Sequence, residues 1–196
     1  MQSLLYPNPE RITMPRIPEL STEEMNPAQK EIYDDIMAGP RSSLRGPFHA
    51  WLHSPGLADP AQKLGAFCRF SSSLPKRLSE LAIIVVARYW CAQFEWYAHA
   101  PMAMEAGISP DVVEAIRTKQ TPTLSLEDEI LIYAFVTELL EQRTVNQVTY
   151  DRAEEILGHY GVVDLVGIIG YYCLVSATLN VFDMPLPDGE ENPLSP

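Results

Sequence analysis

The sequence predicts an all-α fold, and three observations carry that prediction. No segment alternates apolar and polar residues in the way a half-buried strand does, and no hairpin turn separates two such runs. Helix stop-and-start signals recur along the chain, at Gly39-Pro40, at Gly107-Ile108-Ser109-Pro110 and at Gly158. The apolar run from Leu78 to Ala87 is long and has no turn residue on either side, which favours a buried helix over a strand despite its β-branched residues. Seven or eight helices are expected.

The elements follow in order. Residues 1–20 are proline-rich and read as an extended arm. Ser21-Thr22-Glu23-Glu24 is expected to open a helix running to Ala38. A loop with Arg41, Arg45 and Gly46-Pro47 leads to a short helical turn over Phe48–His53, closed by Ser54-Pro55-Gly56. The next helix is expected from about Asp59 to Ser72. Pro75 suits the first turn of the helix that carries the apolar run. Ser109 is placed to cap a helix with Pro110 in its first turn. Ser125 and Asp128 resemble a capping box for a helix to Gln142. Thr149–Leu157 and Val162–Phe182 are the last two helices, and His159 after Gly158 is expected to cap a helix end. Residues 184–196 form a Pro-rich tail, which leaves 21–183 as one domain.

Composition narrows the function. The chain has 196 residues, 46% hydrophobic and 20% charged, which is enough for one well-formed core. A formal net charge of -12 argues against nucleic acid and against an anionic membrane surface as partners. It leaves room for a small acid held by a local cation. The three cysteines, Cys68, Cys91 and Cys173, show neither a disulfide framework nor zinc spacing; no metal and no cofactor are expected, and buried thiols fit a cytoplasmic protein. No basic region precedes an apolar run at the N-terminus. Val162–Val181 contains Asp164 and Asn180 and lacks basic flanks, so a core helix is expected there and not a membrane span.

Charged groups interrupt the most apolar part of the chain at Glu80, Arg88, Glu95 and His99. Burying a charge without a partner is costly, so these groups must pair or line a cavity. Glu95 and His99 are four residues apart and share a helical face. Glu80 and His99 are nineteen residues apart, and an unbroken helix would separate them by about 28 Å. A chain reversal near Trp90-Cys91 would instead set them nearly level on an antiparallel helix pair. The sequence is read with that break.

The segment Glu80…Glu95-x-x-x-His99-x-x-x-Ala103-x-x-x-Gly107 resembles the signature region of carboxymuconolactone decarboxylases and alkylhydroperoxidase D-like proteins. Gly46-Pro47-Phe48, Leu78-x-Glu80-Leu81-Ala82-Ile83, Val162-Val163-Asp164-Leu165 and Leu179-Asn180 extend the likeness over roughly residues 40–185. The resemblance implies a helical bundle, a homo-oligomer (trimer or hexamer), and a pocket around Glu80, Glu95 and His99. The peroxidase branch carries a Cys-x-x-Cys pair four residues before its histidine. Here Ala92 and Glu95 stand at those positions, and Cys91 is one residue off without a partner. A disulfide relay needs two adjacent thiols. The remaining set resembles the decarboxylase branch.

The implied activity is an acid–base lyase or isomerase acting on a small unsaturated carboxylic acid or lactone of aromatic catabolism. In this reading His99 donates or shuttles a proton, Glu95 orients its ring, and Glu80, with a pKa raised by burial, serves as acid or base. Arg45, His49, His53 and Arg88 are the candidates for holding the substrate carboxylate. Two other functions fit the same residues: a thiol peroxidase using Cys91 alone, and a non-catalytic ligand-binding oligomer. Structural roles compete at each position. Glu80 can pair with Arg77 or Arg88, Glu95 and His99 can bridge helices, and Trp90, Phe94, Trp96 and Tyr97 can be core.

Overall fold

The apolar run after Pro75 becomes the central helix. In the computed structural model, which describes residues 15–40, 42–187 and 189–195, this helix is α4 (Lys76–Tyr89). Every residue from Leu78 to Arg88 is buried. Each large aliphatic side chain buried there contributes about 1.5–3 kcal/mol. α5 (Gln93–Glu105) runs back along α4, and α7 (Glu127–Gln142) and α8 (Gln147–Phe182) cover other sides of it. Around this centre lie α1 (Pro27–Ala38), α2 (Phe48–Trp51), α3 (Pro55–Phe70) and α6 (Pro110–Arg117). Among the described residues there are eight helices and no strand, so the fold is all-α as expected.

The expected break lies between α4 and α5. Trp90 ends α4, Cys91 takes a left-handed conformation (φ 49°), and Ala92 begins α5 as its cap. A non-Gly residue in this region is uncommon, and it explains why no Gly or Pro marks the turn. The Ala92 amide closes it by donating to the Ala87 carbonyl at 2.9 Å.

Several boundaries differ from the sequence reading. The first helix starts at Pro27, not Ser21. Asn26 and Gln29 form a reciprocal capping box there, with both bonds at 2.9–3.0 Å, while Ser21 and Glu24 make a separate turn. α3 starts at Pro55 and keeps Pro60 inside its first turns. Ser125 does not cap α7; Leu126 occupies the cap position without a side-chain bond. The last two expected helices are joined as α8, with Gly158 (φ 67°, ψ 169°) as the non-helical kink between them. His159 is exposed and pairs with Glu154 at 3.4 Å, so it does not cap that end. The most apolar window of α8 is 61% buried in the bundle, as a core helix requires.

Both described ends lack helix and strand and pack against the bundle. The Arg16 amide donates to the Phe182 carbonyl at 2.9 Å, which joins the arm to the end of α8. The tail then runs back to the α4–α5 turn. Gln93 grips Leu194 through both its amide atoms at 2.9 Å, and Arg117 and Arg88 donate to the Pro193 and Ser195 carbonyls. The Leu194 side chain is buried. The first fourteen residues of the expected arm, Arg41 of the expected loop, and Asp188 and Pro196 of the tail lie outside the described residues.

Candidate functional site

The α4–α5 reversal brings Glu80 and His99 together. Glu80 Oε2 accepts from His99 Nδ1 at 2.6 Å, and Glu95 Oε1 accepts from His99 Nε2 at 3.0 Å. All three side chains are buried, Glu80 completely. The second Glu80 oxygen faces Lys76 Nζ at 2.5 Å, one helical turn earlier. The imidazole is thus clamped between two carboxylates, and both ring nitrogens carry protons when it is charged.

Electrostatics follow from this clamp. Burial alone would lower the His99 pKa. The charge of Glu95, the hydrogen bonds to Glu80 and Glu95 and the charge of Glu80 outweigh it and raise the pKa to about 9. His99 is therefore an imidazolium at neutral pH. Glu80 was expected to have a raised pKa, and the geometry reverses that. Burial does push it up, but the hydrogen bond and charge of His99, with Lys76 behind, hold it below the ordinary carboxylate value. Tyr172 stands edge-on to the His99 ring at 5.2 Å between centroids. Burial, then Glu95 and Glu80, push its phenol well above the ordinary value, so it stays neutral.

A cavity of about 230 Å³ opens on one side of this cluster. Glu95, His99, Tyr172, Phe94 and Arg69 are among its walls. Glu80 is not: it lies behind the imidazole. A second chamber of about 410 Å³ adjoins it and shares Arg45, Phe94, Tyr97 and Pro187. The arm (Pro15, Ile17, Glu19) and the tail (Met184 to Pro187) complete this outer chamber. Gly46 shapes the partition. Its φ is +65°, and a Cβ there would meet the Phe94 ring at 3.0 Å.

The expected cation candidates separate into two groups. Arg45 lines both chambers, and His49 lines the outer one, with Nδ1 3.3 Å from Glu19. His53 lines neither; its Nε2 meets the Pro18 carbonyl at 2.8 Å and ties down the arm. Arg88 lines neither and holds the tail at Ser195. Both therefore have structural contacts where substrate contacts were expected. Glu80 pairs with Lys76, while Arg77 pairs with Asp128 at 2.7 Å and with Glu129. Of the aromatics, Trp96 is core, Trp90 is partly exposed, and Phe94 and Tyr97 line both chambers. No cysteine lines either chamber. Among the described residues no group of three or more His, Cys, Asp or Glu side chains is arranged to hold a metal ion.

Sequence reasoning missed Arg69 and the pair Tyr171-Tyr172. The tyrosines had a signal: two adjacent rings with polar tips in the most apolar helix. Arg69 had only a weak one, a cation between Cys68 and Phe70 near the end of an amphipathic helix.

Comparison with known structures decides the fold. The chain superposes on the crystal structure of an alkylhydroperoxidase AhpD core, an uncharacterized peroxidase-related protein from Ralstonia eutropha, with a TM-score of 0.72. The match covers 91% of this chain and 95% of that one, at 12% identity. The chain has the alkylhydroperoxidase D-like fold. No family model and no curated protein matches the sequence itself. At 12% identity the alkylhydroperoxidase D-like scaffold is shared, and the chemistry has to be argued from the residues on it.

Proposed function

We propose that the protein is an acid–base lyase or isomerase of the carboxymuconolactone decarboxylase type, acting on a small unsaturated carboxylic acid or lactone. The supporting observation is the Glu80–His99–Glu95 clamp with only its Glu95–His99 edge open to the cavity. Glu80 sits where a positioning residue belongs. It accepts from Nδ1, fixes the ring and stabilises its charge. Glu95 is the group that meets substrate. Its carboxylate takes a proton from the carbon next to the substrate's carbonyl, and the electron pair moves into an enolate. The same proton returns at a different carbon in an isomerisation. In a decarboxylation the C–CO2 bond breaks instead, and the carbanion takes a proton delivered by Glu95 and His99. The positive charge that His99 carries at neutral pH stabilises the negative charge that develops, which is the electrostatic part of the catalysis.

The neighbour's peroxidase-related description raises a thiol alternative. No observation in the site favours it, since the cavity wall carries a carboxylate and no sulfhydryl. Purified protein should consume 4-carboxymuconolactone or a related unsaturated acid, followed by ultraviolet absorbance and CO2 release. Glu95→Gln and His99→Gln should each lower kcat by about 100-fold or more, the usual scale for a lost acid–base group. Full activity in either variant removes that residue from the chemistry. Hydroperoxide consumption lost on Cys91→Ser would move the protein to the thiol reading.

A further inference from the structure

Arg69 lies in the last turn of α3 and lines the inner chamber beside Glu95, His99 and Met102. Its guanidinium is short of partners. The one hydrogen bond it makes among the described residues is to the Met102 sulfur at 3.3 Å, a weak acceptor. Its Nε is buried and unpaired, and its head lies 5.4 Å from the Phe70 ring centroid. No carboxylate of the described residues comes within 4.0 Å of it. Arg77, Arg117 and Arg152 all have carboxylate partners, in a chain with 26 acidic residues. The two site carboxylates are already matched by Lys76 and His99. Among the described residues two cations of the chamber wall, Arg69 and Arg45, therefore have no carboxylate partner, and of the two only Arg69 lines the inner chamber alone. A guanidinium presents a planar fork that matches a carboxylate in two parallel hydrogen bonds. The walls beside it are flat rings, Phe48, Phe94, Tyr171 and Tyr172.

We propose that Arg69 is the anion anchor of the inner chamber and selects planar, unsaturated monoanions whose carboxylate it holds. The anchor fixes which end of the ligand enters first. For turnover this rests on the acid–base reading, because the carboxylate on Arg69 decides which carbon faces Glu95. For binding it does not.

Benzoate is the probe, since it has the carboxylate and the flat body and no reactive group. Calorimetric titration should show wild-type protein binding benzoate at least tenfold more tightly than neutral benzamide. Arg69→Met should abolish that preference, and Arg69→Lys should keep part of it. Arg45→Gln, at the mouth, should change it less than threefold. Circular dichroism checks that each variant is folded. If Arg69→Met does not fold, Arg69→Gln and Arg69→Lys carry the comparison. Several outcomes overturn the anchor: no benzoate binding to the wild type, no preference over benzamide, an unchanged preference in Arg69→Met, or a preference lost only in Arg45→Gln. The two readings fail separately. Benzoate binding that depends on Arg69, without turnover of any acid, leaves the anchor and sinks the lyase. Turnover with benzoate binding that ignores Arg69 does the reverse.

Discussion

The inner chamber is walled mainly by side chains from helices α2, α3, α5 and α8, whereas much of the outer chamber is made of the non-helical ends of the described chain. The inner one borders the buried Glu80–His99–Glu95 cluster, whose charges are paired. The outer one contains prolines, half-exposed side chains and a single His49–Glu19 contact. The contrast separates two tasks. Groups that move protons need fixed geometry and low dielectric, which helix packing supplies. A passage for ligand needs neither, and non-helical segments suffice.

The sharpest way to break the comparison is to remove one charge from each side. Glu80→Leu strips the buried His99 of one partner and should destabilise the fold by about 3–5 kcal/mol, read from urea unfolding. Glu19→Ala removes an exposed partner of His49 and should change stability by less than about 0.5 kcal/mol. Similar losses from both would mean that the inner cluster is not the structural centre.

The pH dependence comes next. His99 has a folded pKa raised to about 9 from an ordinary 6.5, so its contribution is fully present below the ordinary value. It is lost as pH rises through the folded value. Glu80 is lowered, so its contribution is present above the ordinary carboxylate range and lost as pH falls through its folded value. The urea midpoint should therefore fall from about pH 7 to about pH 10, and Glu80→Gln should flatten that fall. A wild-type midpoint that stays flat over this interval would mean that His99 is buried neutral.

The smallest effect belongs to the tail. Gln93→Ala loses both bonds to Leu194 and should cost about 1–2 kcal/mol at most. Its readout is faster hydrogen exchange and proteolysis of residues 184–195, with the α4–α5 amides unchanged. Equal acceleration in both places would show that the two regions are one cooperative unit.

These regions were not equally legible in the sequence. Glu80, Glu95 and His99 stood out because charge inside an apolar run needs an explanation, and helix geometry then required the turn at Cys91. The roles of the two glutamates were not legible. Periodicity puts Glu95 and His99 on one face, but which carboxylate meets the cavity depends on where α3 and α8 leave space. Arg69 was hidden for a related reason. A cation on an amphipathic helix is ordinary text, and its lack of a partner is visible only once its neighbours are placed. The first helix was read too long because the Ser21–Glu24 pattern imitates a cap, while Asn26-Pro27 a few residues later makes the stronger one.

The bond between Arg16 and Phe182 has a consequence for how the molecule is made. Arg16 also donates to the Val181 carbonyl, across 165 residues of chain. Closing so long a loop costs roughly 2 kcal/mol more chain entropy than closing a loop of about twenty residues, and exposed segments with few buried contacts open at low cost. Glu80 and His99 close a loop of only nineteen residues. On a growing chain the ionic cluster can assemble while the outer chamber still lacks its second wall. In the finished protein that wall can part from the first and leave the cluster in place.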